Sequence, residues 1–162
     1  MYYMEKIMNI TLNMKIQGQE FELNANLTNA AGRIYRQQFS RDLLRDMSDI
    51  YKKLHKSPFD GINMEGIELA GKTEQEIYEQ LMSRVDMTKL MNAEANKAML
   101  DFEEEERAGQ IIWAFVKNAD KNLPNYDKWI DEFDFILPVG EIVCALFEAW
   151  TKSAQPTVEL KN

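Results

Sequence analysis

Two rhythms divide the chain. Ile10, Leu12, Met14 and Ile16 alternate with polar residues, Gln17-Gly18-Gln19-Glu20 interrupts, and Phe21, Leu23, Ala25 and Leu27 alternate again. Period two on both sides of a short glycine-containing break predicts a β-hairpin over residues 9–28 with one buried face. A hairpin alone is marginal in water, so that face must cover helices or pair with another chain. After Leu27 the spacing changes to three and four: Tyr35, Phe39, Leu43, Met47, Ile50 and Leu54 follow a capping position at Thr28 or Asn29. On a helix these six span an arc of about 120°. The pattern predicts one helix, ended by Ser57-Pro58.

Residues 57–72 carry Gly61, Gly66 and Gly71 and read as a mobile connector on turn chemistry, although Gly66 to Thr73 has the Gly-x4-Gly-Lys-Thr spacing of a phosphate loop. Thr73-Glu74-Gln75-Glu76 is a capping box that opens a helix with Ile77, Leu81 and Val85 on one face, and helix is expected to continue through Leu90, Met91, Ala95 and Met99. The acidic run Asp101 to Glu106 suits the positive end of another helix, whose stripe is Ala108, Ile111, Ile112, Phe115, Val116 and Ala119. Asn122-Leu123-Pro124 restarts the chain into a short helix that turns Tyr126, Trp129, Ile130 and Phe133 inward. After Pro138, the residues Val139, Ile142, Val143, Leu146, Phe147 and Trp150 give the strongest helical stripe, expected to be the most buried. The fold class is therefore mainly α with a small N-terminal β-hairpin (α+β), in one helical domain over 1–162: an extension at 1–7, a helical body at 29–153 and a flexible tail at 154–162.

Charge is unevenly spread. Residues 1–56 hold nine Lys/Arg against six Asp/Glu, a net of +3, and residues 57–162 hold ten against twenty-one, a net of −11. A chain of net charge −8 is repelled by nucleic-acid phosphates and anionic lipid, so neither is an expected partner. The basic side of the 29–54 helix, Arg41, Arg45 and Lys52, is the candidate partner-binding face, and could attract the acidic remainder of a second copy; the bland alternative is an ordinary solvated face. One cysteine, Cys144, cannot form an intrachain disulfide, and the start lacks the basic and long apolar stretches of a secretory signal, so a cytoplasmic protein is expected.

Catalytic chemistry has little to work with. His55 is the only histidine and sits between Lys53 and Lys56, a solvent-exposed setting. Cys144 lies at the edge of an apolar stripe, where inert packing is the ordinary reading. Asp120, Asn122, Asn125, Asp127 and Asp131 resemble a calcium loop but put Pro124 and Asn125 where that loop needs a ligand and a glycine. The clustered carboxylates Glu103 to Glu106, Asp131, Glu132 and Asp134 read as solvated faces. No enzyme, metal or cofactor is expected.

The stretch Ala25 to Met47, with its Ala/Thr-rich start, the Tyr35-Arg36 pair and the run Phe39-Ser40-Arg41-Asp42-Leu43-Leu44, resembles the signature of the tail assembly chaperones of long-tailed bacteriophages and prophages. Ile112 to Asp120, Leu123-Pro124, Trp129 to Phe133 and the ending Thr157 to Lys161 are similar to that family's second half; residues 1–7 and 57–100 carry no likeness. The resemblance implies a non-catalytic protein that coats the long apolar tape measure protein and helps tail tube protein polymerise around it. It further implies self-association, residence in the host cytoplasm and absence from the mature virion, and often a longer frameshift product. The family has no fixed catalytic residues to carry over. Two alternatives stay open: a structural tail subunit retained in the virion, and an acidic DNA mimic, which the basic residues between Arg33 and Lys52 weaken.

Overall fold

The computed structural model describes residues 8–55, 62–85 and 100–153. Strands β1 (Asn9–Ile16) and β2 (Gln19–Asn26) are followed by helices α1 (Asn29–Phe39), α2 (Leu43–Leu54), α3 (Glu74–Met82), α4 (Phe102–Ala119), α5 (Tyr126–Asp131) and α6 (Val139–Ser153). The chain is mainly helical with an N-terminal hairpin, as its periodicity predicts. The described residues within 1–51 and 100–162 form one compact unit and those within 52–99 another. The extension at 1–7, the helix stop at Ser57-Pro58, the continuation through Leu90, Met91, Ala95 and Met99, and the tail at 154–162 lie outside the described residues.

In the first unit the hairpin closes on two residues. Gln17 (φ 51°) and Gly18 (φ 78°) both take the left-handed conformation, the signature of the primed turns that match strand twist, and Ile16 pairs directly with Gln19. The antiparallel register sets Ile10 opposite Ala25, Leu12 opposite Leu23 and Met14 opposite Phe21, so one face collects all the apolar side chains. That face is covered unevenly. Leu23 and Ala25 are buried, whereas Ile10, Leu12, Met14 and Ile16 are only half-buried.

The core is built around α4, against which β2, α1, α5 and α6 all pack. Asp101 caps its N-terminus: its side chain accepts from Glu104 N at 2.8 Å, and Asp101 N donates back to Glu104 Oε1 at 3.2 Å. Glu103, Glu104 and Glu105 occupy the first turn, where the helix dipole favours carboxylates. From Ile111 to Val116 every residue is buried, so α4 has no solvent face over that stretch. Burying each of Ile111, Ile112 and Phe115 is worth about 1.5–3 kcal/mol. The stripe over Val139–Trp150, expected to be the most buried, is less so: α6 buries Ile142, Val143 and Leu146 against nine buried residues in α4. The reason is position, since α6 covers one side of a helix that others enclose. Ala119 is exposed at the C-terminal end of α4.

The helix expected from 29 to 54 is two helices. Ser40 takes the left-handed conformation (φ 55°) and donates its N–H to Arg36 O at 2.9 Å, which terminates α1. Asp42 then accepts from Arg45 N at 2.8 Å and starts α2. The apolar spacing runs across this break unchanged, so periodicity alone could not show it.

In the second unit, α3 opens on the expected capping box, with Glu76 N donating to Thr73 Oγ1 at 3.2 Å and Thr73 N to Glu76 Oε2 at 2.8 Å. No residue of α3 is buried. Among its described residues, polar contacts tie the preceding loop to α3. Gln80 donates to Glu68 O and accepts from Glu68 N, both at 3.0 Å, and Arg84 donates to the carbonyls of Asn63 and Glu65. The described part of the expected connector, 62–72, is thus bonded to α3.

Candidate functional site

Three groups of residues carry the chemistry of interest. The first is a buried carboxylate, which the charge pattern did not single out. Asp46 is 2% exposed and receives three hydrogen bonds: from Tyr35 Oη at 2.7 Å, from Arg41 Nε at 2.7 Å and from Arg41 Nη2 at 2.9 Å. Ser40's left-handed turn lets the chain double back so that Arg41, just ahead of α2, reaches a carboxylate on that helix while Tyr35 reaches it from α1. Burial works to raise the Asp46 pKa, but the bonds from Arg41 and Tyr35 and the Arg41 charge outweigh it, and the pKa is lowered. The Tyr35 phenol is pushed up by burial and by its bond to Asp46. This cluster fixes the α1–α2 junction.

The expected partner-binding face therefore separates. Arg41 keeps part of its side chain in solvent, yet its guanidinium is committed to Asp46. Arg45 and Lys52 lie at exposed positions of α2, seven residues apart.

The second group is aromatic. At the turn end of the hairpin, Phe21 makes edge contacts with Phe133 (centroids 5.6 Å apart) and Phe135 (5.3 Å), and Phe133 and Phe135 lie 5.5 Å apart. Trp129, buried on α5, anchors the set through an edge contact with Phe133 at 5.0 Å. Phe21, Phe133 and Phe135 are all half-buried. Ile136, next in the chain, is 92% exposed. Met14 stands opposite Phe21 in the hairpin register, so the half-buried row of β1 continues this apolar surface. Asp131, Glu132 and Asp134, all exposed, belong to the same stretch of chain, with one exposed base, Lys128, a turn earlier on α5. The sequence reading turned Phe133 inward; it is shared between the core edge and solvent.

The third group comprises residues weighed for metal binding or catalysis. Asn125 Oδ1 accepts from Lys128 N at 3.1 Å as the cap of α5, and Asp120 Oδ1 accepts from Asn122 N at 3.0 Å within a turn. Both spend their oxygens on local backbone. Among the described residues, no three His, Cys, Asp or Glu side chains are grouped to hold a metal ion. His55 is exposed at the end of α2. Cys144 is half-buried, and burial, then Glu148 and Glu141, push its thiol up, away from the reactive thiolate. Among the described residues, no helix is long and apolar enough to cross a membrane.

Compared with models of protein families, with curated proteins and with solved structures, the chain matches none of them.

Proposed function

We propose that this chain is a non-catalytic tail assembly chaperone of a long-tailed phage or prophage, which binds the tape measure protein, keeps it soluble and promotes polymerisation of tail tube protein around it. It acts in the host bacterial cytoplasm and leaves before the virion is complete. The observation that carries the reading is where the resembling residues fall. Tyr35, Arg41 and Asp46 make the buried junction of α1 and α2. Trp113 Nε1 donates to Pro124 O at 2.9 Å, and Lys117 Nζ donates to Leu123 O at 2.5 Å, so the second block of likeness ties α4 to the loop before α5. The resembling residues thus include interacting framework positions of one unit. A half-open apolar surface on that unit suits a protein whose cargo is a long apolar helix. Self-association belongs to the same reading.

Co-expression tests it. Tape measure protein from the same phage genome should move from the insoluble to the soluble fraction and co-purify with this chain, without added nucleotide. Tape measure protein that stays insoluble, or that is equally soluble alone, would falsify the reading. A mass-spectrometric inventory of purified virions separates it from a structural tail subunit, which would be present at many copies per particle.

A further inference from the structure

The geometry points to the surface formed by Met14, Phe21, Phe133, Phe135 and Ile136, edged by Asp131, Glu132 and Asp134, as the docking site for an amphipathic helix whose apolar stripe is flanked by Lys or Arg. The inference rests on the chaperone reading for the identity of the natural cargo, but not for the chemistry of the site.

Ile136 is the most exposed large apolar side chain among the described residues and follows directly on Phe135. Ring contacts explain the buried half of each ring: Trp129 supports Phe133, and Phe133 and Phe135 pack on Phe21. They do not explain the open half, nor why Ile136 stands 92% exposed on the short loop between α5 and α6. Rigid aromatic rings packed edge to face lose little conformational freedom on binding, which is the property of an anchor position. Their apolar surface recognises an apolar stripe of any sequence. Selectivity comes from the rim. Asp131, Glu132 and Asp134 are exposed and outnumber Lys128, the base nearest to them in the chain. A helix with acids beside its stripe would set like charges against that rim, and one with bases would set opposite charges there. An amphipathic helix presents an apolar stripe and its flanking charges on one side, which is what an apolar surface beside exposed acids can meet.

The test uses the full chain and two labelled synthetic helices of about five turns. Both carry the same leucine stripe at i, i+3, i+4 and i+7; one is flanked by lysine and the other by glutamate. Fluorescence anisotropy should show the lysine-flanked helix binding about tenfold more tightly, as expected for three exposed charge pairs, with the gap closing at high salt. Because the whole chain is acidic, a cationic peptide could bind it without using this surface. Ile136→Ser, which leaves the charge unchanged and replaces a fully solvated side chain, separates the two cases: it should weaken binding at least fivefold. Glu132→Lys with Asp134→Lys should reverse the preference between the peptides. Circular dichroism and the thermal midpoint of each variant should match the parent. Equal binding of the two peptides, or parental binding by Ile136→Ser, overturns the site. So does a parent dimer that Ile136→Ser dissociates, because a second copy would then be the occupant. In the co-expression assay, tape measure protein solubilised equally by the parent and by Ile136→Ser sinks this site and leaves the chaperone reading standing. Tape measure protein insoluble with the parent sinks that reading, while the peptide experiment still decides the site.

Discussion

At the scale of single residues, the most consequential position is Asp46. A carboxylate 2% exposed is costly unless its partners replace water, and Tyr35 and Arg41 do so with three hydrogen bonds. Arg41 is partly solvated, so its charge is screened; the Tyr35 hydroxyl has no such access and would be stranded without Asp46. Asp46→Ala should therefore lower stability by about 1–3 kcal/mol, the cost of one orphaned buried donor, and more if the junction rearranges. The pH dependence follows from the lowered pKa. The folded state binds the Asp46 proton less readily than the unfolded chain, where the value is about 3.9. The carboxylate's contribution is complete above that value and is lost as pH falls through the folded pKa. Urea midpoints of the parent and Asp46→Asn, measured from pH 7 down to pH 3, should converge on acidification; a constant gap would show that Asp46 does not titrate with folding. None of this was legible beforehand. Asp46 interrupts no apolar spacing, and Arg41 reads as one of three outward cations until Ser40's left-handed turn redirects it. The local signal that could have been weighed is Asp42, three residues before Arg45 and directly after a Ser-Arg step, which marks a second helix start.

At the scale of elements, the hairpin and most of the helices were legible because each rests on a local periodicity or a cap. What periodicity could not rank was burial among helices, since an apolar stripe reports that a face is covered and not how many neighbours cover it. Helix α4 shows this. Gly109 sits on its buried side, and a Cβ there would come within 2.7 Å of Tyr126 Oη and 3.4 Å of the ring. Exchanging an interior helical glycine for alanine ordinarily stabilises by about 1 kcal/mol. Here the contact reverses the sign, because Tyr126, the first residue of α5, is itself buried and has no open space to swing into. Gly109→Ala should destabilise, and the same substitution in a Tyr126→Phe background should be neutral or stabilising, since the hydroxyl that clashes is gone. Tyr126→Phe alone should cost little, its bond to Glu106 O being long at 3.4 Å. A double-mutant cycle by chemical denaturation measures the coupling, and additivity would show that α5 shifts freely. For α6, Leu146 is fully buried, and Leu146→Ala should cost about 2–5 kcal/mol. A parental midpoint for that variant would mean that α6 is not core.

At the scale of the whole molecule, charge is the property that the sequence displays and folding redistributes. Residues 1–56 carry a net of +3 and residues 57–162 a net of −11, which suggests attraction between copies. The net of +3 is unchanged by folding, but two of its cations are matched within the same segment before any partner arrives. Arg41 is neutralised on Asp46, and Lys15 lies directly across the hairpin from Glu20. Arg45 and Lys52 remain at exposed positions of α2 to meet an acidic surface. Self-association driven by them should be screened, because the Debye length contracts from about 30 Å at 0.01 M salt to about 8 Å at physiological ionic strength. Light scattering should then give a larger mass at low salt than at high salt, and Arg45→Glu with Lys52→Glu should give the high-salt mass at every ionic strength. Reversing charges at exposed positions is expected to leave thermal stability within about 0.5 kcal/mol of the parent, so lost association would not be lost folding. An oligomer indifferent to both salt and charge reversal would place the contact elsewhere. The outer edge of the two-stranded hairpin is the natural alternative, since its unpaired backbone groups pair with another strand whatever the salt. A proline at Thr11 or Asn13, two exposed positions of β1, would then dissociate the oligomer where charge reversal did not.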